Sequence, residues 1–544
     1  MSHPFSPAQI RFDGYGIDDR RAVSARFWIG GPGSPSVIVS LADLNTGSPE
    51  LWRRFGDVGV LLSPADKKNI FQKLKPSSGG YHFKIVNSLG WSLGYVTPNK
   101  VFGAPACIVE RDFGDLDLAK YRSAGRLEQW QYNILPLCAG NSRLMFAIMC
   151  AFAGPLLAIL GIGSFGFQLF GPSSIGKTII LIVGGSVWGC RVGATSQLGF
   201  SETWATTLEG VARYGRMHND GLLLLDETRQ AGIDRDMGKI VPTFIMRLAQ
   251  GTTKNQLVSV GGRGDWRVVY LGSGNLSLLE IFSAAGMDFD DAYRVRFPDI
   301  FADAGCGYGV FENIHGFLNA AAFAKELQRR ACTYFGTASE RYLERLSQDR
   351  RDRGDWLEAG LRRQIDAYLK TSPAGSTVDG RITDNFAVPY AAGMLARHYG
   401  VVRWTPEEIA WAVLSCERAH HQAVTQSQTR LDPVAVVRSY IAGNLARFSQ
   451  VPDPSITDQE FSNSPGFIYT DPHGSLEYAI PPKVFARGVT PLNPAYVLRA
   501  LDTAGLLVRG RDKYVSKVPI RDSSSGGRKF VYRIRSTILD VAAN

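Results

Sequence analysis

Disulfide and zinc chemistry are the first things this sequence lacks. Its seven cysteines, at positions 107, 138, 150, 190, 306, 332 and 416, are odd in number and scattered, with no C-x-x-C pair. That pattern excludes a disulfide frame or zinc knuckle and implies a reducing, cytoplasmic setting. Eight histidines show no ligand spacing, and the His420-His421 pair reads as helix surface. Pro4 and Phe5 are followed by polar and charged residues, so no signal peptide is expected. Leu144–Phe170 carries no charge over more than a bilayer's span, but Gly154-Pro155 and further glycines break it. It reads as a buried helix feeding a buried strand, with no membrane partner.

What is present suits several globular domains: 544 residues, 45% apolar and 20% charged. The net charge of +10 is uneven. Residues 483–544 hold twelve Lys/Arg against four Asp (502, 512, 522, 540), a local excess of 12 − 4 = +8. A basic terminal domain of this kind suggests a nucleic-acid contact.

The chain is organised around GFQLFGPSSIGKT at Gly166–Thr178. Gly171, Pro172, Ser173, Ser174, Ile175, Gly176, Lys177 and Thr178 fit G-x-x-x-x-G-K-[ST] at every fixed position. Backbone N–H groups of such a loop, with the following helix N-terminus, form an anion site for phosphate oxygens. Lys177 is expected to reach the β- and γ-phosphates of ATP, and the Thr178 hydroxyl to ligate Mg²⁺. Gly221-Leu-Leu-Leu-Leu-Asp226-Glu227 reads as a strand buried on both faces with two carboxylates at its end. Asp226 is expected to hold Mg²⁺ and Glu227 to deprotonate the attacking water. A further buried strand, Arg267 to Asn275, ends in polar residues; Asn275 is the first candidate to sense the γ-phosphate and Ser273 the second.

Residues 1–110 alternate apolar and polar positions in ARFWIGG, SVIVSL, VGVLLS and YHFKIV, the pattern of a β-rich domain. Residues 111–165 read as a helical connector, 166–312 as the nucleotide core, 313–430 as a helical lid and 431–544 as a basic terminal domain. Thr203 opens a predicted amphipathic helix in which Trp204 is a packing anchor, and Gln348–Asp355 reads as a solvated linker. Gly251–Trp266 reads as a hairpin offering Lys254 and Arg263 to DNA. Arg294 and Arg296, two apart in a segment that reads as extended, face one way, and Arg296 is the favoured transition-state arginine from a neighbouring subunit. At the end, a helix, a turn at Gly505 and a strand pair across 522–527 form a winged-helix pattern, with Lys513, Lys517, Arg528 and Lys529 meeting phosphates.

The ordered series GPSSIGKT, SVWG, TW-x-x-T-x-LEG, HNDGLLLLDE, GDWRVVYLGSGN and RITDNFAVPYAAGMLA, over roughly residues 85–425, resembles the helicase-like proteins of bacterial mobile elements. These include the self-loading replicative helicases of cassette chromosome elements. The resemblance implies an α/β fold: an AAA+ P-loop core related to minichromosome-maintenance-type helicases, a parallel sheet sandwiched by helices, active as a ring hexamer. It places Lys177, Thr178, Asp226, Glu227 and Asn275 in the cis half of an intersubunit site, Arg296 in the trans half, and Lys254 on a channel hairpin. Two departures stand out: Gly251-Thr-Thr-Lys254-Asn-Gln lacks the arginine of a G-x-G-K-x-R run, and LGSGN replaces S-T-G-E. The expected function is an ATP-dependent DNA helicase or translocase serving mobile-element replication. The alternative is a nucleotide-dependent switch or defence-type ATPase that oligomerises without unwinding DNA.

Overall fold

Four consecutive leucines in a strand must point alternately to opposite faces, and this alternation divides the centre of the molecule. Leu222 and Leu224 join one apolar core, Leu223 and Leu225 another. Neighbouring strands repeat the division, with Val269 and Leu271 on the first side and Val268 and Tyr270 on the second. The computed structural model describes residues 9–540 apart from 19–20, 31–35, 75–81, 87, 105–106, 110–117, 191–198, 229–234, 253–264, 286, 288, 373–376, 490–491, 493, 511–513 and 522–527.

The central sheet is wholly parallel, in the order Glu202–Thr203, Gly221–Asp226, Val268–Gly274, Phe165–Phe170, Asp299–Phe301. On one face lies helix Ser142–Ala153, every residue of it buried. It packs against helix Lys177–Gly185 and against two later helices, Thr377–His398 and Pro406–Leu431. The longer apolar segment Ser142–Leu160 has the length to cross a membrane, but 89% of it is buried in the protein, as in a core helix. On the other face, helices Leu208–Met217 and Arg235–Gln250 close over Trp204, whose ring lies 4.7 Å from that of Phe244. The helix expected from Thr203 therefore begins later: Thr203 lies in the edge strand, and Thr207 caps the helix by accepting from the Gly210 N–H.

The N-terminal sheet runs Ser36–Ser40, Val23–Ile29, Ile10–Ile17, Phe83–Val86, Cys107–Val109. Helices Pro49–Asp57 and Pro64–Lys73 share its core through Phe55 and Ile70. VGVLLS, expected as a strand, is instead the turn between those helices, with Gly59 at φ 84° and Leu61 exposed. A separate small sheet, Gly90–Trp91, Tyr95–Val96 and Val101–Phe102, belongs to the central core. Fully buried Asp220 anchors it, accepting from the Trp91 N–H at 2.9 Å and from Arg267 Nε at 2.8 Å.

The helical region contains Ala320–Ala331, Thr337–Leu369, Thr377–His398 and Pro406–Leu431. The expected linker Gln348–Asp355 lies inside the second of these, broken only at Arg353, where φ is −155°. Its charges are partly internal: buried Asp349 accepts from Arg353 and, at 2.8 Å, from Tyr399 Oη. The terminal region forms a six-stranded sheet with helices Pro433–Asn444, Pro482–Gly488 and Pro494–Thr503 around its own core. The expected helix, short strand and strand pair are there as Pro494–Thr503, Leu507–Val508, Val515–Pro519 and Arg528–Arg535.

Removing a buried acceptor leaves its donors unpaired. Asp220→Ala is expected to lower unfolding stability by about 2–3 kcal/mol, read as a shifted urea midpoint. An unchanged midpoint would show that the Asp220 carboxylate does not hold the Gly90–Trp91 sheet.

Candidate active site

Parallel strands present their carboxyl ends along one sheet edge, the usual place for a ligand site. Here the register aligns Thr203 with Asp226, Leu225 with Gly272, and Gly274 with Phe170. Strand Val268–Gly274 thus lies between the strand feeding the Gly-rich loop and the strand ending in the two carboxylates.

The loop Gly171–Gly176 leads into helix Lys177–Gly185. Gly176 sits at φ 103°, and a Cβ there would lie 2.9 Å from Val310 Cγ2, so both conformation and space call for glycine. The Lys177 ammonium donates to Gly171 O at 2.8 Å, Pro172 O at 2.6 Å and Asn275 Oδ1 at 2.9 Å. Burial lowers its pKa, while Glu227 and Asp226 act in the opposite sense. Thr178 Oγ1 lies 3.4 Å from Asp226 Oδ1. Ser273 joins the two carboxylate positions: its hydroxyl donates to Asp226 Oδ1 at 2.5 Å and accepts the Glu227 N–H at 2.9 Å. Glu227 is held in the left-handed region, φ 56°, an uncommon conformation for a residue with a Cβ.

Lys177, Thr178, Asp226, Glu227, Ser273 and Asn275 therefore meet at one sheet edge. The Thr178 hydroxyl and the Asp226 carboxylate make an oxygen donor pair that suits a hard cation retaining waters and phosphate oxygens. Among the described residues, no group of three or more His, Cys, Asp or Glu offers a fuller metal cage.

Arg294 and Arg296 do not join this cluster. Their segment is helical, Asp291–Arg296, so residues two apart do not share a face as the extended reading required. Arg294 pairs with Asp291 at 3.1 Å. Arg296 bonds the Ala292 carbonyl of its own helix, and its backbone oxygen accepts from Tyr270 Oη at 3.0 Å. Tyr270 pairs with Gly166, four residues before the strand ends at Phe170. At about 3.3 Å per residue, that puts Arg296 near the opposite end of the strands.

Lys254, Arg263 and Lys513 lie outside the described residues; the base of the expected hairpin is present as the Thr252–Asp265 bridge. Lys517 and Arg528 are exposed, whereas Lys529 pairs with Asp458 at 2.9 Å.

Sequence reasoning missed three supports. Gln168, buried in the loop strand, donates to Leu276 O at 2.7 Å and steadies the turn bearing Asn275. Gly309 lets its segment close on the loop: a Cβ there would stand 2.4 Å from Ile175 O. Buried Arg143 reaches Glu312, Phe301 O and Asp303 O, tying the core helix to that segment. Only the second had a local signal, three glycines in five residues at Gly305–Gly309.

A separate cleft opens beside Arg294, Asp299 and His420, away from the Gly-rich loop. His420 is fully buried, which corrects its reading as helix surface, and its Nδ1 lies 2.6 Å from Asp299 O. Burial pushes the His420 pKa down to about 4 and raises the Asp299 carboxyl well above its ordinary range.

Residues 35–258, somewhat under half the chain, match a family described as "Domain of unknown function (DUF927)". No curated protein matches. Among solved structures the chain is similar to the SCCmec type IV Cch active helicase, with 14% identity and a TM-score of 0.55, covering 98% of this chain and 95% of that one. At that identity the likeness is one of fold, and it extends beyond residues 85–425, where the motif series lies.

The His420 shift has a definite sign. The unfolded histidine takes its proton near pH 6.5 and the folded one only near 4, so stability falls as pH drops through that window. The loss should reach about 3 kcal/mol, visible as a steeper acid destabilisation of the parent than of His420→Gln. Parallel curves for the two would refute a buried neutral histidine.

Proposed function

We propose that this chain is an ATP-driven DNA helicase or translocase of a mobile genetic element, built on an AAA+ P-loop core and active as a ring hexamer. The observation that carries this reading is the convergence of Lys177, Thr178, Asp226 and Glu227 through Ser273 and Asn275. The similarity in fold to an active helicase and the basic terminal domain support the choice of DNA. On this reading residues 313–430 act as lid and 431–544 as a winged-helix-like module.

The loop N–H groups would cradle the phosphates of ATP, with Lys177 exchanging loop carbonyls for β- and γ-phosphate oxygens. Thr178 and Asp226 would hold Mg²⁺, which when bound supplies charge neutralisation for the β- and γ-oxygens. Glu227 takes the proton of the attacking water, and Asn275 orients that water against the γ-phosphate. Ser273 keeps Asp226 and the Glu227 backbone in register. Arg296, at the far end of the strands from its own Lys177, suits the site of a neighbouring copy. It is preferred to Arg294, which is paired with Asp291. Lys254 and Arg263 would contact DNA from the hairpin rooted at Thr252 and Asp265.

The decisive experiment is steady-state ATP hydrolysis with and without single-stranded and forked DNA. Turnover should rise with DNA and fall at least about 100-fold in Glu227→Gln, with nucleotide binding retained. DNA-independent hydrolysis would favour the switch, and absence of hydrolysis would defeat the motor. For the composite site, Arg296→Ala and Lys177→Ala should each be inactive, and mixing them should restore part of the activity. Failure of mixing to rescue would remove Arg296 from the trans role.

A further inference from the structure

The hairpin Val515–Pro519/Arg528–Arg535 has two unlike faces. Cα partners on antiparallel strands point to the same side, so Lys517 shares a face with Phe530, Pro519 with Arg528, and Val515 with Tyr532. On the opposite face Val518 and Val531 are buried, and Lys529 at its rim pairs with Asp458, as does Arg521. Among the described residues, the Phe530 face is covered only toward its carboxyl end, where Tyr532 packs on Phe485 at 5.0 Å between ring centroids and Ile534 is buried. Its other half is open. Phe530 is 57% exposed there, with the Lys517 ammonium 4.8 Å from the ring centroid and exposed Arg528 on the same face.

We propose that Phe530, flanked by Lys517 and Arg528, is a stacking platform for an unpaired base of single-stranded nucleic acid. An exposed aromatic between two cations suits a partner that has both a π-face and phosphates. A duplex hides its base faces, and a protein partner would supply no such pairing of flat ring and regularly spaced anion. This rests on the DNA reading above and adds where and how an unpaired base is gripped. It also separates the hairpin's cations: Lys517 and Arg528 serve the platform, while Lys529 is held by Asp458.

The test is fluorescence anisotropy of the full chain with a labelled oligothymidylate and with a blunt duplex, across 50–200 mM salt. Phe530→Ala should weaken single-strand binding about ten-fold without changing the slope of log K against log salt, and Phe530→Trp should preserve it. Lys517→Ala and Arg528→Ala should each lower that slope by about 0.7. Photocrosslinking with 5-iododeoxyuridine should mark Phe530 in the parent. If the parent binds the oligonucleotide and Phe530→Ala binds it equally, or if the crosslink maps elsewhere, the platform is overturned while DNA binding stands. Equal losses on duplex and single strand would likewise overturn it. No binding of either DNA by the parent would bring down the platform together with the DNA reading.

Discussion

A carboxylate buried at the end of an apolar strand is the constraint on which the centre of this molecule depends. Asp226 follows four leucines and is 5% exposed. An ionised carboxylate there is costly unless donors reach it. They come from both sides: Ser273 Oγ from the adjacent strand and Thr178 Oγ1 from the helix after the Gly-rich loop. The strand order serves this need, because strand Val268–Gly274 lies beside the one that ends at Asp226. The same hydroxyl accepts the Glu227 N–H, so the left-handed turn that aims Glu227 is held by the group that satisfies Asp226.

The sheet also decides how far a local change can spread. Helix Ser142–Ala153 shares one core with the loop helix and with Thr377–His398 and Pro406–Leu431. Arg143 and Ser142 on that helix both bond Glu312, beyond the segment that closes on Ile175. Loop, core helix and these two later helices thus share packed walls, and close-packed interiors transmit displacement instead of absorbing it. Asn385 of helix Thr377–His398 donates to Val295 O at 2.7 Å, linking that helix to Asp291–Arg296 as well.

The parts legible in the sequence were those whose chemistry is contiguous. GPSSIGKT and LLLLDE name their residues in order because the backbone itself forms the site, and the structure brings them together. Non-local partners were not legible. Nothing around Gln348–Asp355 shows that Asp349 accepts from Tyr399, fifty residues on, so dense charge read as solvent. Nothing around His420 shows that it lies against strand Asp299–Phe301. The extended reading of the Arg294–Arg296 segment failed for a different reason: six residues carry too little periodicity to reveal a helix. The Asp290 cap, accepting from the Ala292 N–H at 2.7 Å, was the overlooked signal. The VGVLLS segment reads as a strand, yet helix Pro49–Asp57 ends just before it and its last residue, Ser63, caps helix Pro64–Lys73, which leaves it only a turn.

On the proposed reading, the placement of Arg296 gives the sheet two poles. The carboxyl ends of the strands gather Lys177, Asp226, Glu227 and Asn275, while the opposite end carries the arginine helix, fixed by Tyr270 stacked on Phe297 at 5.0 Å and bonded to Arg296 O. Both poles are attached to the same buried strands, and strands paired along their length do not bend independently. A head-to-tail arrangement of copies, the kind that closes into rings, would bring one pole against the other. In such a ring, tilting one sheet about its neighbour moves its arginine and its own Lys177 together. Occupancy of one site would then bias the geometry of the next through a rigid body, with no need for a mobile loop between them.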